Sequence, residues 1–417
     1  MQELTLQHDQ LSIKILQSLW FRTILLLPNL RKLHWIYEDY TMIASIRLLL
    51  SPSLVHLHVW LDGGDHSAVL GLLECYHTLC PNLKSLYFGH LCRFPHVTTA
   101  VSRAITRSPN LEALTCDPVD EAALVHIANS RRLKKLNAGL LNYHSENLER
   151  LANYATSEHP PFENLRVLEL RVDDLSSIIP YLKSHQQPFE VVSFDFRMLP
   201  TPEVFRQLFT ALGSTTRQGT LRRIRLLSLG LRKHEIPSQA VDFEVLELLG
   251  TFKKLHTLDL NLINTVSLSD DNLAQLVQAW PDLETFHLNQ RSGWNYSPTF
   301  HTPTLRGLLL LVVRCPKLRN IGLCVDAMNI PSLPDDKSLT HNNVTRLSLA
   351  NSPIQYPVER VAQFLHELFP SLTDLPAWIP FNGPPPYDYR NLWREVGTLI
   401  REIKDLDSSP ESSDSET

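Results

Sequence analysis

Glycine is scarce in this chain, with 14 residues in 417. No G-x-G-x-x-G and no G-x-x-x-x-G-K-[ST] occurs, so the sequence offers no loop to cradle a phosphate. Gly63-Gly64 reads as a turn. G-x-S-x-G and H-E-x-x-H are missing too, which removes the usual signs of a hydrolase nucleophile or a metalloprotease helix. The six cysteines, at 75, 80, 92, 116, 315 and 324, include no C-x-x-C pair. That usage fits reduced thiols rather than a disulfide framework. The apolar run near position 310 spans only Leu308 to Val313 before Arg314 and is too short for a bilayer. The N-terminal MQELTLQHDQLSIK has no basic region leading into an apolar one, so no signal peptide is expected. Asn295-Tyr296-Ser297 and Asn343-Val344-Thr345 match the glycosylation pattern and, without a secretory signal, read as chance. The expected compartment is cytoplasm or nucleus, with no membrane contact. A formal net charge of -5 argues against a globally basic nucleic-acid binder.

What the chain does contain is repetition. LRKLHW at Leu30 has the pattern apolar-x-x-apolar-x-apolar. It returns as LVHLHV at Leu54, LKSLYF at Leu83, LEALTC at Leu111, LKKLNA at Leu133 and LRVLEL at Leu165. Further copies are VVSFDF at Val191, LRRIRL at Leu221, LHTLDL at Leu255, LETFHL at Leu283, LRNIGL at Leu318, VTRLSL at Val344 and a decayed LTDLPA at Leu372. Thirteen anchors between Leu30 and Leu372 give a mean step of about 28 residues, the signature of leucine-rich repeats. The alternating core reads as a short strand, and the segments between cores have helical spacing. Ser269 to Trp280 shows a capping serine, two aspartates, then Leu273, Leu276, Val277 and Trp280 on one face. Thr302-Pro303 and Thr201-Pro202 open further helices with proline at the first position. The fold class expected is therefore α/β: a leucine-rich-repeat solenoid, an open arc with parallel strands on the concave side and helices on the convex side. Steps from 22 to 35 residues make the repeats irregular, with loops at 291–299 and 329–343.

Met1, Leu4 and Leu6 also match the core pattern with no cap before them. Either sequence upstream of Met1 or a partner is expected to cover that end. The organisation expected is a solenoid over residues 1–375, a proline-rich loop and C-terminal capping helix over 376–404, and a disordered tail over 405–417. The helix carries Leu392, Val396, Leu399 and Ile403 on one face. The tail, DLDSSPESSDSET, is acidic and serine-rich, with Ser409-Pro410 and Ser413 as phosphorylation patterns.

Cys80 and Cys315 stand three residues before an anchor, a slot filled elsewhere by Leu27, Phe162, Phe252, Trp280 and Phe369. They read as small hydrophobes in a packing position. The outward strand positions carry the functional reading. His34, His56, His58, Trp60 and Tyr87 form an N-terminal patch of imidazoles and large aromatics suited to anchoring a protein. Three histidines on adjacent strands are also a conceivable metal set. No carboxylate or thiolate is visibly aimed at them, so neither metal nor cofactor is expected. Their ordinary pKa of about 6.5 predicts that binding there changes between about pH 7.5 and 6. In the middle, Glu169, Arg171, Asp195, Arg197, Arg223 and Arg225 alternate in sign. They suit either a charged partner segment or a solvated face of mutually neutralising pairs. Over all outward positions basic residues outnumber acidic ones, among them Arg31, Lys32, Lys84, Lys134, Lys135, Arg222, Arg319 and Arg346.

The units CPNLKSLYF, SPNLEALTC and CPKLRNIGL resemble the leucine-rich repeats of F-box proteins, especially fungal ones, over roughly residues 1–375. In that family an F-box helix bundle docks on the adaptor of a cullin–RING ubiquitin ligase and the repeats hold the substrate. The opening L-P-x-E motif of an F-box is not found. Residues 8–27 are helical in pattern and apolar but lack it. The resemblance implies a non-catalytic substrate receptor with a protein partner on the concave face, joined to the adaptor through an F-box upstream of Met1. The competing readings are a stand-alone repeat scaffold, for instance one that binds a small GTPase or a nuclear factor, and an enzyme without a recognisable motif.

Overall fold

The computed structural model describes residues 3–7, 25–36, 45–60, 66–89, 95–117, 119–140, 161–184, 186–215, 219–229, 240–290, 300–333, 343–349, 352–376 and 389–408. Among the described residues thirteen parallel strands pair in sequence order, and helices alternate with them. The fold is a leucine-rich-repeat solenoid. The chain divides into two compact units, Met1–Asp195 with Ser214–Arg217 and Phe196–Gly213 with Gln218–Thr417.

In the first unit the strands begin with β1 (Glu3–Gln7), β2 (Lys32–Ile36), β3 (His56–Trp60), β4 (Ser85–Gly89) and β5 (Ala113–Cys116). They continue with β6 (Lys135–Leu140), β7 (Val167–Val172) and β8 (Val191–Phe196). Their burial alternates as the L-x-x-L-x-L pattern requires: Leu33 and Trp35, Leu57 and Val59, Leu86 and Phe88 are all buried. Successive side chains of a strand point to opposite faces, so the residues between them face away from the helices. Helices His66–Leu79, Pro95–Thr106 and Glu121–Ala128 follow β3, β4 and β5 in turn. Asp120 caps the last of them, accepting from the Ala123 amide at 2.9 Å.

The seventh anchor of the sequence pattern shifts in the structure. In a regular repeat one carbonyl serves two amides of the next strand: Arg31 O accepts from Val55 N and His56 N at 2.8 and 3.0 Å. Arg166 O does the same for Glu190 N and Val191 N at 2.7 and 3.0 Å. Glu190 and Val191 therefore correspond to Val55 and His56, and the buried Phe189, not Val191, is the anchor. A slip of two residues keeps every side chain on its face, so the apolar pattern alone fits both registers.

The second unit carries β9 (Arg223–Ser228), β10 (Thr257–Asn261), β11 (Thr285–Leu288), β12 (Asn320–Leu323) and β13 (Arg346–Ser348). Helix Asp270–Val277 has the expected cap at Ser269, with a reciprocal capping box to Asn272. Helix Pro202–Thr215 begins at the expected proline. Helix Leu305–Arg314 begins two residues later than Thr302-Pro303 suggests. Thr304 caps it, its hydroxyl accepting from the Arg306 amide at 3.1 Å, while its own amide and hydroxyl donate to the Asp270 carboxylate at 2.7 and 2.8 Å. The copy at Leu372 forms only an isolated bridge, Arg346 with Asp374. Pro376 follows two residues later, and proline lacks the amide that would extend a ladder. Helix Arg390–Ser408 buries Trp393, Val396 and Ile400, a seam rotated slightly from the expected leucine face. Residues 8–24, 291–299, 334–342, 377–388 and 409–417 lie outside the described residues, and with them most of the apolar segment 8–27, the expected loop 291–299, most of the expected loop 329–343 and the tail's serine patterns.

Candidate functional site

The strand register builds the site in rows across the first unit. One row runs Thr5, His34, His58, Tyr87, Thr115, Asn137, Glu169, each paired with its neighbour on the next strand. The next row, two residues further along, pairs Ile36 with Trp60, Trp60 with Gly89, and Gly139 with Arg171. Asp117 follows Cys116, the partner of Ala138, and so stands beside Gly139.

His34 and His58 have ring centroids 5.4 Å apart, and His58 lies 3.9 Å from Tyr87 at an interplanar angle of 32°. Trp60 is nearly parallel to Tyr87, at 6.3 Å and 12°. Four rings from three strands thus form one shelf, half-buried on the outward face. Glycine makes the shelf possible. A Cβ at Gly89 would lie 2.8 Å from Tyr87 Cε1 and 2.9 Å from Trp60 Cε3. At Gly139 a Cβ would overlap the Asp117 carboxylate, which instead receives Arg171 Nη1 at 3.0 Å. Large and empty positions alternate along this row, so long side chains lean across the glycines and meet. Asn137 donates to Glu169 Oε2 at 2.7 Å. His56 stands on the same strand face as His58, next to Lys32 in register.

Electrostatics distinguishes the shelf from an ordinary solvated surface. Burial lowers the pKa of His58, and His34 lowers it further. Burial also lowers that of His56, followed by Lys32, His34 and Arg31, with Glu3 acting in the opposite sense. Tyr87 is raised by burial and lowered in part by Arg171. The buried His58 Nε2 has no hydrogen-bond partner among the described residues. His58 and Tyr87 are thereby both held toward their neutral forms. The charging of His56 and His58 moves below the ordinary value, and the pH response read from the sequence moves to lower pH with it. Between that lowered value and 6.5 the unfolded chain binds more protons than the folded one, so stability falls as pH drops. Urea unfolding at about pH 7.5 and 5.5 checks this. The double variant His56→Asn, His58→Asn is expected to lose less stability over that interval than the parent, and an identical loss in both would show that these rings do not contribute.

A carboxylate does reach the histidines: Glu3 Oε1 lies 3.5 Å from His34 Nε2, and Glu3 Oε2 lies 3.2 Å from Lys32 Nζ. Among the described residues no group of three or more His, Cys, Asp or Glu is placed to hold a metal ion. No helix among them is long and apolar enough to cross a membrane.

The residues of the expected central cluster are distributed differently. The register at Phe189 moves Asp195 out of the row of Glu169 and into that of Arg171. Arg197 follows the strand and is exposed. Arg223 and Arg225 belong to the second unit, where Arg225 Nε lies 3.6 Å from Asp259 Oδ2. Asp259 Oδ1 is 3.4 Å from His287 Nδ1, which accepts from Gln290 Nε2 at 2.9 Å. The register neighbours of His287 are Asp259 and Gly322. The cysteines sit in the packing slot as expected: burial pushes the thiols of Cys80 and Cys315 up to about 12, far from reactive thiolates.

The sequence reading missed one regular feature. The residue just before an anchor is often asparagine, and its amide reaches back one repeat. Asn82 donates to Pro52 O at 3.0 Å, Asn110 to Pro81 O at 3.2 Å and Asn164 to Arg131 O at 3.0 Å in the first unit. Asn343 donates to Pro316 O at 3.1 Å in the second. The recurring Pro-Asn-Leu and Glu-Asn-Leu triplets were the available signal.

No family model matches the chain, and no curated protein sequence does. Among solved structures it is similar to the crystal structure of a TLR13–ssRNA13 complex, at 13% sequence identity and a TM-score of 0.37. The match covers 88% of this chain, which spans 57% of that one. The assignment to the leucine-rich-repeat fold stands on the chain's own strand register, its buried L-x-x-L-x-L positions and its step of about 28 residues.

Proposed function

We propose that this chain is a non-catalytic protein-binding solenoid and that it docks its partner on the outward strand face of the first unit. The observation that carries the reading is the shelf of His34, His58, Tyr87 and Trp60. A strand position facing away from the helices need only be soluble, yet here four rings assemble with the space over Gly89 cleared beside them. Aromatic groups held rigid and half-desolvated are what interface anchors are made of. Asp117–Arg171 and Asn137–Glu169 frame the shelf with paired polar groups, as in the rim of an interface.

A finer reading makes the chain the substrate-recognition part of a cullin–RING ubiquitin ligase. Its support is the likeness of CPNLKSLYF, SPNLEALTC and CPKLRNIGL to the repeats of F-box proteins, and nothing in the geometry adds to it. The alternative is a stand-alone scaffold or regulator.

The test is affinity purification with the parent chain and with Trp60→Ala, Tyr87→Ala. Proteins bound through the shelf are expected to be retained by the parent and lost from the variant. For a purified partner the expected loss is about thirtyfold, or roughly 2 kcal/mol. Gly89→Ala should weaken the same partner by displacing both rings. Undiminished binding by these variants, with loss on replacing Arg223 and Arg225, would move the site to the second unit. Cullin components among the retained proteins would favour the ligase reading, and their absence the scaffold.

A further inference from the structure

A second feature of the first unit lies beside the shelf. A groove of about 770 Å³ follows the N-terminal ends of the strands, lined by Arg31, Lys84 and Arg132 together with Asn29, Asn82 and Asn110. No carboxylate lines it. Its floor is rigid for a local reason: Asn82 and Asn110 spend their amides on backbone carbonyls of the preceding repeat. Asn110 then uses its Oδ1 to hold Arg132 Nη1 at 2.7 Å. Arg132 thus has a fixed guanidinium with no carboxylate at ion-pair distance among the described residues, and the same holds for exposed Arg31. Lys84 is engaged, since Glu112 accepts from Lys84 and Lys134 at 2.9 and 2.8 Å.

We propose that this groove binds an acidic, extended peptide segment of the partner that occupies the shelf, with its carboxylates on Arg31 and Arg132. The inference rests on the docking reading above and adds the partner's chemistry. Lys84 and Tyr87 belong to one repeat, and Arg31 and His34 to another, each pair three residues apart and so about 10 Å along the strand. A single extended segment reaches from groove to shelf when an acidic residue and an aromatic or large apolar residue stand two or four positions apart, the even spacing that turns both side chains to one face. Guanidinium groups suit this role because they take carboxylates in a bidentate fork. The charge pattern also selects against nucleic acid. A phosphate backbone is held by a run of uncompensated cations, whereas here Glu112 takes up Lys84 and Lys134, and Glu190 takes up Arg166 at 2.8 Å. Two guanidiniums with no carboxylate at ion-pair distance among the described residues fit one or two carboxylates.

The experiment selects a phage-displayed library of random short peptides on the full chain, then measures the selected peptides by fluorescence anisotropy. Expected are peptides enriched in Asp or Glu two or four positions from an aromatic or large apolar residue. Their affinity should fall about tenfold in Arg31→Ala, Arg132→Ala, the size of one lost charge-assisted contact. It should also fall as salt is raised. Both arginines are exposed, so the variant is expected to fold, and its circular dichroism verifies this. Selection without acidic enrichment, equal binding by the double variant, or tighter binding of an oligothymidine than of any selected peptide overturns the proposal. The variant Trp60→Ala, Tyr87→Ala separates the two ideas. Peptides that lose affinity there but not on the arginine variant sink the groove and leave the shelf. The reverse pattern sinks the shelf as the docking surface.

Discussion

Leu258→Asp is expected to destabilise the protein by about 6 kcal/mol and to lower its melting temperature by more than about 10 °C. Leu258 is the second core residue of LHTLDL and is 1% exposed. It faces Ile224 on one neighbouring strand and Phe286 on the other. Losing the leucine side chain alone costs about 2–5 kcal/mol. The carboxylate then lies among apolar atoms with no cation in reach, which adds several kcal/mol or forces it to take up a proton. Since a domain's whole stability is roughly 5–15 kcal/mol, the sum is of the order of the total. In a repeat array each unit is stabilised chiefly by its neighbours, so the damage spreads through Ile224 and Phe286. Thr257→Asp is the control. Thr257 points to the opposite face and pairs with Arg223 in register, so a carboxylate there should change stability by less than about 0.5 kcal/mol. Equal melting curves for the parent and Leu258→Asp would show that the repeat register is wrong at this strand.

That contrast between adjacent residues is what made the fold legible. A strand has a period of two, and a leucine-rich repeat buries one side of it completely, so the apolar letters of LRKLHW, LVHLHV and LKSLYF identify both the strand and its inner face. The outward row from His34 through Tyr87 to Glu169 follows once the anchors are aligned. The same period explains the slip at the seventh repeat. FEVVSF and VVSFDF both satisfy apolar-x-x-apolar-x-apolar, and only the amides of Glu190 and Val191 on the Arg166 carbonyl separate them. Asp195 accordingly belongs with Arg171.

The candidate site was legible in its residues and not in its arrangement. Trp60 and Tyr87 stood out as large aromatics at outward positions. That Trp60 leans over Gly89 toward Tyr87 depends on the empty space of a glycine on the next strand, which no single-strand pattern encodes. Asp117 escaped notice because it follows the last strand residue of its repeat, and its pairing with Arg171 needs Gly139 between them. The central charged cluster read well as letters, yet Arg225 turns to Asp259, a partner 34 residues later in the chain. Side-chain partnerships across repeats are set by register and by which neighbours are small, and both become visible only when the strands are side by side.

Asn289→Ala is expected to cost about 4 kcal/mol, although it removes no apolar contact of consequence. Asn289 is fully buried and adopts the left-handed conformation, with φ at 56°. Its Oδ1 accepts from the Leu262 amide at 2.7 Å, and its Nδ2 donates to the Asn264 carbonyl at 2.8 Å. Asn264, also buried, passes the ladder on by donating to Pro200 O at 2.9 Å. Alanine would strand the Leu262 amide and the Asn264 carbonyl without partners inside the protein, each at about 1–3 kcal/mol. It would also place a Cβ-bearing residue with no compensating polar group in the left-handed region, at roughly 1 kcal/mol. Glycine removes the second cost and keeps the first. The expected order of stability is therefore Asn289 above Gly above Ala, with Gly and Ala about 1 kcal/mol apart. Urea denaturation of the three proteins measures it. A loss below about 1 kcal/mol for Asn289→Ala would mean that water reaches the Leu262 amide and replaces the side chain, and the ladder from Pro200 to Asn289 would then be incidental to the second unit's stability.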